Sequence, residues 1–149
     1  MEIEIIDEQV DLDLSAFPFE QVITEFLKFK KFHGSEIAVH LVNTQEITRL
    51  HAEFFDDPTP TDCITFPIDS PTPLSKPIKD YCHLGEVFIC PATAINYCNT
   101  HGGSPQKETL LYLIHGLLHL LGYEDENEES KKEMRAQEQI ALDLFQNWL

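Results

Sequence analysis

The chain predicts a single α+β domain, residues 1–149, built as a small mixed sheet of four strands packed with about five helices. Three observations lead there. Short β-type runs occur four times, and apolar residues at helical spacing fill the stretches between and after them. Their order is strand, helix, strand, helix, two strands, then three helices, which suits helices layered on one mixed sheet. Finally, 149 residues with 42% hydrophobic content fit one domain with a real core. No internal repeat, low-complexity stretch or linker interrupts it.

Residues 2–6, EIEII, alternate polar and apolar and read as the first strand. Pro18 suits the first turn of a helix, in which Phe19, Val22, Ile23, Phe26 and Leu27 share a face and Gly34 offers an exit. Residues 36–42, EIAVHLV, form the second strand. Asn43 and Glu46 then stand as N-cap and N3 of a helix reaching about Phe55. His40 and His51 lack a partner at ligand spacing and are read as structural. DDPTPTDC is turn chemistry before a short strand from about Cys63 to Phe66. Asp69 to Asp80 carries Pro71, Pro73 and Pro77, a loop long enough for an active-site flap or a plain surface excursion. LGEVFIC, residues 84–90, is the fourth strand, and Pro91 opens a helix ending near His101. Ser104 and Pro105 cap the next helix. The last helix spans about Glu128 to Trp148, with Met134, Ile140, Ala141, Leu144, Phe145 and Trp148 as its expected core stripe. Strands joined through a crossover helix should pair in parallel, and the proline-rich loop allows one antiparallel edge strand.

Ten Lys and Arg against 26 Asp and Glu give a formal charge of −16, which argues against nonspecific nucleic-acid binding. The run Lys28, Lys30, Lys31 is either a local basic groove or a solvated helix end whose cations favour the C-terminal dipole. No apolar run is long enough to span a membrane, and MEIEIIDEQ lacks the basic flank of a secretory signal. Cys63, Cys82, Cys90 and Cys98 form no C-x2-C pair and read as reduced thiols, so a cytoplasmic location is expected.

The chemistry concentrates in residues 108–125, ETLLYLIHGLLHLLGYED. His115 and His119 are four apart, one turn apart on one helix face, where both imidazoles can grip a single ion. Leucines and Ile114 surround them, so the helix is expected to be buried, and buried imidazoles need partners. Gly122 ends the helix by accepting a left-handed conformation, and the chain can turn back to bring in a third ligand. Asp125, its neighbour Glu124 or a residue from a distant segment supplies that ligand. Three protein ligands leave a position for water, the pattern of catalytic zinc. The spacing also matches the long zinc-peptidase motif, but Gly116 stands where the peptidase has its glutamate base.

HGLLHLLGYED resembles the H-G-x-L-H-L-x-G-Y-D-H motif of the YbeY-type endoribonucleases, bacterial rRNA-maturation factors. PTDCITFP resembles the family's P-T-D-V-L-S-F-P, and LGEVFIC its L-G-D-I-x-I-S strand, in the same order. The resemblance implies a zincin-like α+β fold, one zinc ion, no organic cofactor and metal-dependent cleavage of single-stranded RNA. It also implies a part in 16S rRNA 3′-end maturation and ribosome quality control, with rRNA and small-subunit components as partners. The family's third metal histidine falls on Asp125 and its preceding Asp on Glu124, so the implied metal set is His115, His119 and Asp125. The expected chemistry is polarisation of a phosphate oxygen and activation of a water by the held ion. His115 is then catalytic as a ligand, or alternatively as acid or base. Glu124 is the candidate proton acceptor or ligand-orienting carboxylate.

The family's usual Arg falls on Phe55. Arg49, or Lys76 and Lys79 on the proline-rich loop, are the candidates to contact RNA phosphate in its place. Phe54 and Phe55 adjoin, so one is expected to point inward. Two other readings stand beside the nuclease: a zinc metallopeptidase-like hydrolase, and a catalytically weak ribosome-associated binding homologue.

Overall fold

A computed structural model describes residues 1–77 and 80–149. The elements are β1 (Glu2–Asp7), α1 (Phe19–Lys30), β2 (Phe32–His33), β3 (Glu36–Leu41), α2 (Thr44–Phe55), β4 (Cys63–Pro67), β5 (Thr72–Pro73), β6 (His83–Ile89), α3 (Pro91–His101), α4 (Pro105–Leu120) and α5 (Glu128–Leu144). The main sheet runs β1-β3-β6-β4. β1, β3 and β6 are parallel, as crossover connections require, while β4 joins β6 antiparallel, from Cys63 opposite Ile89 to Pro67 opposite Gly85.

Alternation along the strands divides the core in two. Ile37, Val39, Leu41, Leu84, Val87 and Ile89 face the larger cluster, shared with α1, α4 and α5. Val42, Ile64 and Cys90 face the other side, where α2 contributes Ile47 and Leu50. Asn43 caps α2 as its sequence demands, its side chain accepting from the Glu46 N–H at 2.9 Å. All four cysteines are free thiols.

Four expectations are corrected here. Helix α1 ends not at Gly34 but at Lys31, which takes the left-handed cap conformation (φ 64) so that the chain can enter β2 directly. β2 pairs with β5, and the Leu74 N–H donates to the Lys31 carbonyl at 2.9 Å, so the proline-rich stretch is anchored at its middle. Neither Phe54 nor Phe55 points inward; both are more than half exposed. Their rings lie 5.0 and 6.4 Å from that of Phe66, and β4 is the sheet edge, so no further layer closes over them. Helix α5 stops at Leu144, short of Trp148, and Ile140, Leu144 and Trp148 are exposed. Its buried stripe is Met134, Glu138, Ala141 and Phe145, at helical spacing with a glutamate in an apolar row. His40 and His51 are structural as expected. His40 stacks on Phe88 and bonds Glu86 at 2.8 Å, and a His51 ring N–H donates to the Thr59 carbonyl at 2.7 Å.

Gly116 sets how closely α4 approaches the sheet. A Cβ there would lie 2.7 Å from Val87 Cγ1 and 3.1 Å from Cys63 Sγ. The alanine helix preference, roughly 1 kcal/mol over glycine, is opposed by overpacking of about 1–3 kcal/mol. Gly116→Ala should therefore lower the urea midpoint of the metal-free protein. An unchanged or raised midpoint would show that the sheet yields freely to the added methyl.

Candidate metal centre

Helix α4 begins where Ser104 accepts from the Lys107 N–H and Pro105 fills the first turn. It is apolar on nearly every side, and Leu113, Ile114, Leu117 and Leu118 are wholly buried among β4, β6, α3 and α5. His115 and His119 lie on a partly open face of it, their side chains 19% and 24% exposed. The helix closes with paired bonds, Gly122 N–H to the His119 carbonyl and Tyr123 N–H to the Leu118 carbonyl, both 3.0 Å. Gly122 has φ +101, a backbone that side chains resist, and the chain turns there to return Asp125 to the histidine face.

The two rings are held in one tautomer. His115 Nδ1–H donates to Glu138 Oε2 at 2.8 Å, and His119 Nδ1–H donates to the Tyr123 carbonyl at 3.0 Å. A carboxylate and a carbonyl can only accept, so each Nδ1 carries the proton and each Nε2 presents its lone pair in the neutral ring. Those Nε2 atoms lie 3.0 Å apart, and each is near Asp125 Oδ2, at 3.6 Å from His115 and 3.5 Å from His119. Two lone pairs and a carboxylate oxygen thus converge on one point. The loop carrying Asp125 is braced by Lys30, whose amine bonds the Tyr123 hydroxyl at 3.0 Å, lies against the same ring and also bonds Gln137 of α5.

Glu138 is 3% exposed and serves two partners, since Arg135 Nη1–H also donates to its Oε1 and Oε2 at 2.6 and 3.1 Å. Burial raises its pKa, but the bonds from His115 and Arg135 and the charge of Arg135 outweigh it, leaving the carboxyl below the usual glutamate value. Nearby, burial and the charge of Asp62 hold the Cys63 thiol well above its ordinary value, which makes it a packing group rather than a nucleophile.

The cluster opens on two hollows. One, about 490 Å³, is lined by His115, Asp62, Tyr112, Arg135 and Glu138; the other, about 610 Å³, by His119, Asp125, Glu124, Thr65 and Pro67. Of the residues expected from sequence, His115, His119 and Asp125 are brought together, with Glu124 exposed at the rim. Arg49 is elsewhere, its guanidinium held by Glu46 and Glu53 on α2 beside Phe88. Lys76 is exposed and lines neither hollow, and Lys79 lies outside the described residues. Phe55 lines neither hollow either.

Sequence reasoning missed Glu138, Arg135 and Asp62. For Glu138 a signal existed: Met134, Ala141 and Phe145 define a stripe whose remaining position is a glutamate. An acid in that row needs a buried partner.

A family model described as Endoribonuclease YbeY matches residues 2–146, nearly the whole chain. The chain belongs to the YbeY family. A curated relative from Protochlamydia amoebophila, Endoribonuclease YbeY, is 43% identical over 119 residues, covering 80% of this chain and 76% of that one. Endoribonuclease YbeY of Chlamydia trachomatis serovar D is 34% identical over 145 residues, 97% of this chain and 88% of the other. The solution structure of TM1509 from Thermotoga maritima superposes with a TM-score of 0.64 at 26% identity, covering 98% and 91% of the two chains. YbeY-family membership fits the mixed four-stranded sheet, the five helices and the histidine pair on α4. Among the described residues no helix is long and apolar enough to cross a membrane. In this YbeY-family chain Gly116 packs against Val87 and Cys63 of the sheet, so the peptidase reading finds no glutamate base there.

Proposed function

We propose that the chain is a zinc-dependent endoribonuclease acting on single-stranded RNA, with His115, His119 and Asp125 as the metal ligands. The observation that carries this reading is the pair of imidazole lone pairs facing each other at 3.0 Å, with Asp125 Oδ2 close to both. Unprotonated, these groups repel, and a divalent cation among them removes the repulsion. Zinc bonds of 2.0–2.1 Å at tetrahedral angles separate ligands by about 3.3 Å, close to the spacing of these three donors. Two imidazoles and a carboxylate also suit zinc chemically. When bound, the ion would supply Lewis acidity toward a phosphate oxygen and lower the pKa of a water.

The chain's own residues do the rest. Glu138 and the Tyr123 carbonyl hold the imidazoles in the ligating tautomer. With Nδ1 bonded to Glu138 and Nε2 given to the ion, His115 serves in this reading as a ligand rather than in proton transfer. Of the two roles expected for Glu124, orienting a ligand is taken by Glu138. Glu124, exposed beside Asp125, keeps the other, as acceptor of the proton a nucleophilic water loses. Family membership supports ribosomal RNA as the substrate, with 16S 3′-end maturation and ribosome quality control in the cytoplasm as the setting. Small-subunit components are the partners in this reading.

The test is metal analysis of the purified protein coupled with cleavage of a single-stranded RNA with and without chelator. Chelation should abolish cleavage, and zinc should restore it. Cleavage that persists in metal-free protein would remove this reading.

Asp125→His offers a finer check. Exchanging an anionic for a neutral ligand raises the effective charge of the ion, so the rising limb of the pH–rate curve should move to lower pH. No change in either metal affinity or pH profile would mean that Asp125 is not a ligand.

A further inference from the structure

The acidity of the nuclease cleft leaves a question of substrate recognition. Asp62, Glu108 and Glu138 line the hollow beside His115, and Asp125 lies on its other side. A phosphodiester approaching this surface meets negative charge. Besides His115, which belongs to the metal cluster, Arg135 is the one basic side chain among the described residues that lines that hollow.

We propose that Arg135 is the substrate-phosphate ligand of this site, holding an RNA phosphate next to the metal cluster. Three features support it. First, the guanidinium is pre-positioned: Nη1 bridges both oxygens of Glu138, a side chain that is itself buried. Second, the same Glu138 oxygen that accepts from His115 lies 3.1 Å from that Nη1, so one carboxylate fixes both the cation and the imidazole. Third, the Arg135 side chain remains 71% exposed, while Glu138 accounts for Nη1 alone and leaves Nε and Nη2 to donate outward. A planar donor fork of this kind matches phosphate better than an ammonium does. Arg49 has no such freedom, since Nε, Nη1 and Nη2 all bond Glu46 or Glu53.

The proposal rests on the endoribonuclease reading, and its test separates the two. The zinc-loaded full chain is titrated against a fluorescein-labelled single-stranded oligoribonucleotide, 2′-O-methylated to prevent cleavage, at several KCl concentrations. Zinc stoichiometry is measured alongside. Arg135→Ala should weaken binding about tenfold at low salt. It should also make the slope of log affinity against log salt shallower by about 0.7, with zinc retained. Arg135→Lys should recover the slope but not all of the affinity, and Arg49→Ala should change neither. If wild type binds RNA and Arg135→Ala keeps both its affinity and its slope, the proposal is overturned while the nuclease reading stands. Loss of zinc without a change in slope overturns it too, because Arg135 would then only brace Glu138. A wild-type chain that shows no salt-dependent RNA binding overturns both.

Discussion

His119→Ala should leave the protein unable to retain its divalent ion and should abolish RNA cleavage. His115 and Asp125 would remain, and two protein donors are fewer than catalytic zinc sites use. The loss should exceed the roughly 10–100-fold effect of removing an outer hydrogen-bond partner. Folding should survive. The side chain is 24% exposed, and its bond to the Tyr123 carbonyl contributes about 1 kcal/mol. Elemental analysis should therefore fall from about one ion per chain to almost none, with little change in the thermal midpoint of metal-free protein. Undiminished metal content would sink the assignment of the centre.

Glu138→Ala is expected to damage both function and fold. It strips His115 Nδ1–H of an acceptor that is itself buried, at about 1–3 kcal/mol. It should also weaken metal affinity by roughly 10–100-fold. Glu138→Gln keeps an acceptor and the volume, so most of the stability should return while the charge holding Arg135 does not. The pH dependence carries a definite sign. The folded pKa of Glu138 is depressed below 4.5, so its contribution is fully present above that pH and is lost as pH falls through the lower folded value. Acid unfolding of metal-free wild type should thus steepen below about pH 4.5 relative to Glu138→Gln. Identical acid limbs, together with unchanged metal affinity, would show that Glu138 only fills space.

What could be read from the sequence follows from which interactions are local. The histidine pair, Gly122 and Asp125 lie within eleven residues, so helix geometry and one turn suffice to bring them together. The capping of α2 and α4 and the parallel pairing of β1 with β3 were legible for the same reason. Glu138 and Arg135 come from a different helix, and nothing local couples position 138 to position 115. Phe54 and Phe55 misled because exposure depends on what lies beyond β4, which no periodicity in α2 reports. The two-residue pairing of β2 with β5 was missed because such short strands carry no repeat. Arg49 is the exception, a local miss: Glu46 and Glu53 stand three and four positions away on its own helix, the spacing at which side chains meet, and they occupy its guanidinium.

The bond between Glu138 and His115 crosses from the last helix to the metal helix, and Lys30 adds a second tie from α1 to Tyr123 and Gln137. Linkage makes such a connection work in both directions. Any gain in ion affinity that docked α5 gives His115 is returned, in equal free energy, as resistance of α5 to local opening. A bound ion would then be a clasp on α5 as well as a reagent. Metal-starved chains would be the ones whose last helix opens more readily, exposing its Met134, Ala141 and Phe145 stripe and bringing that segment within reach of proteases.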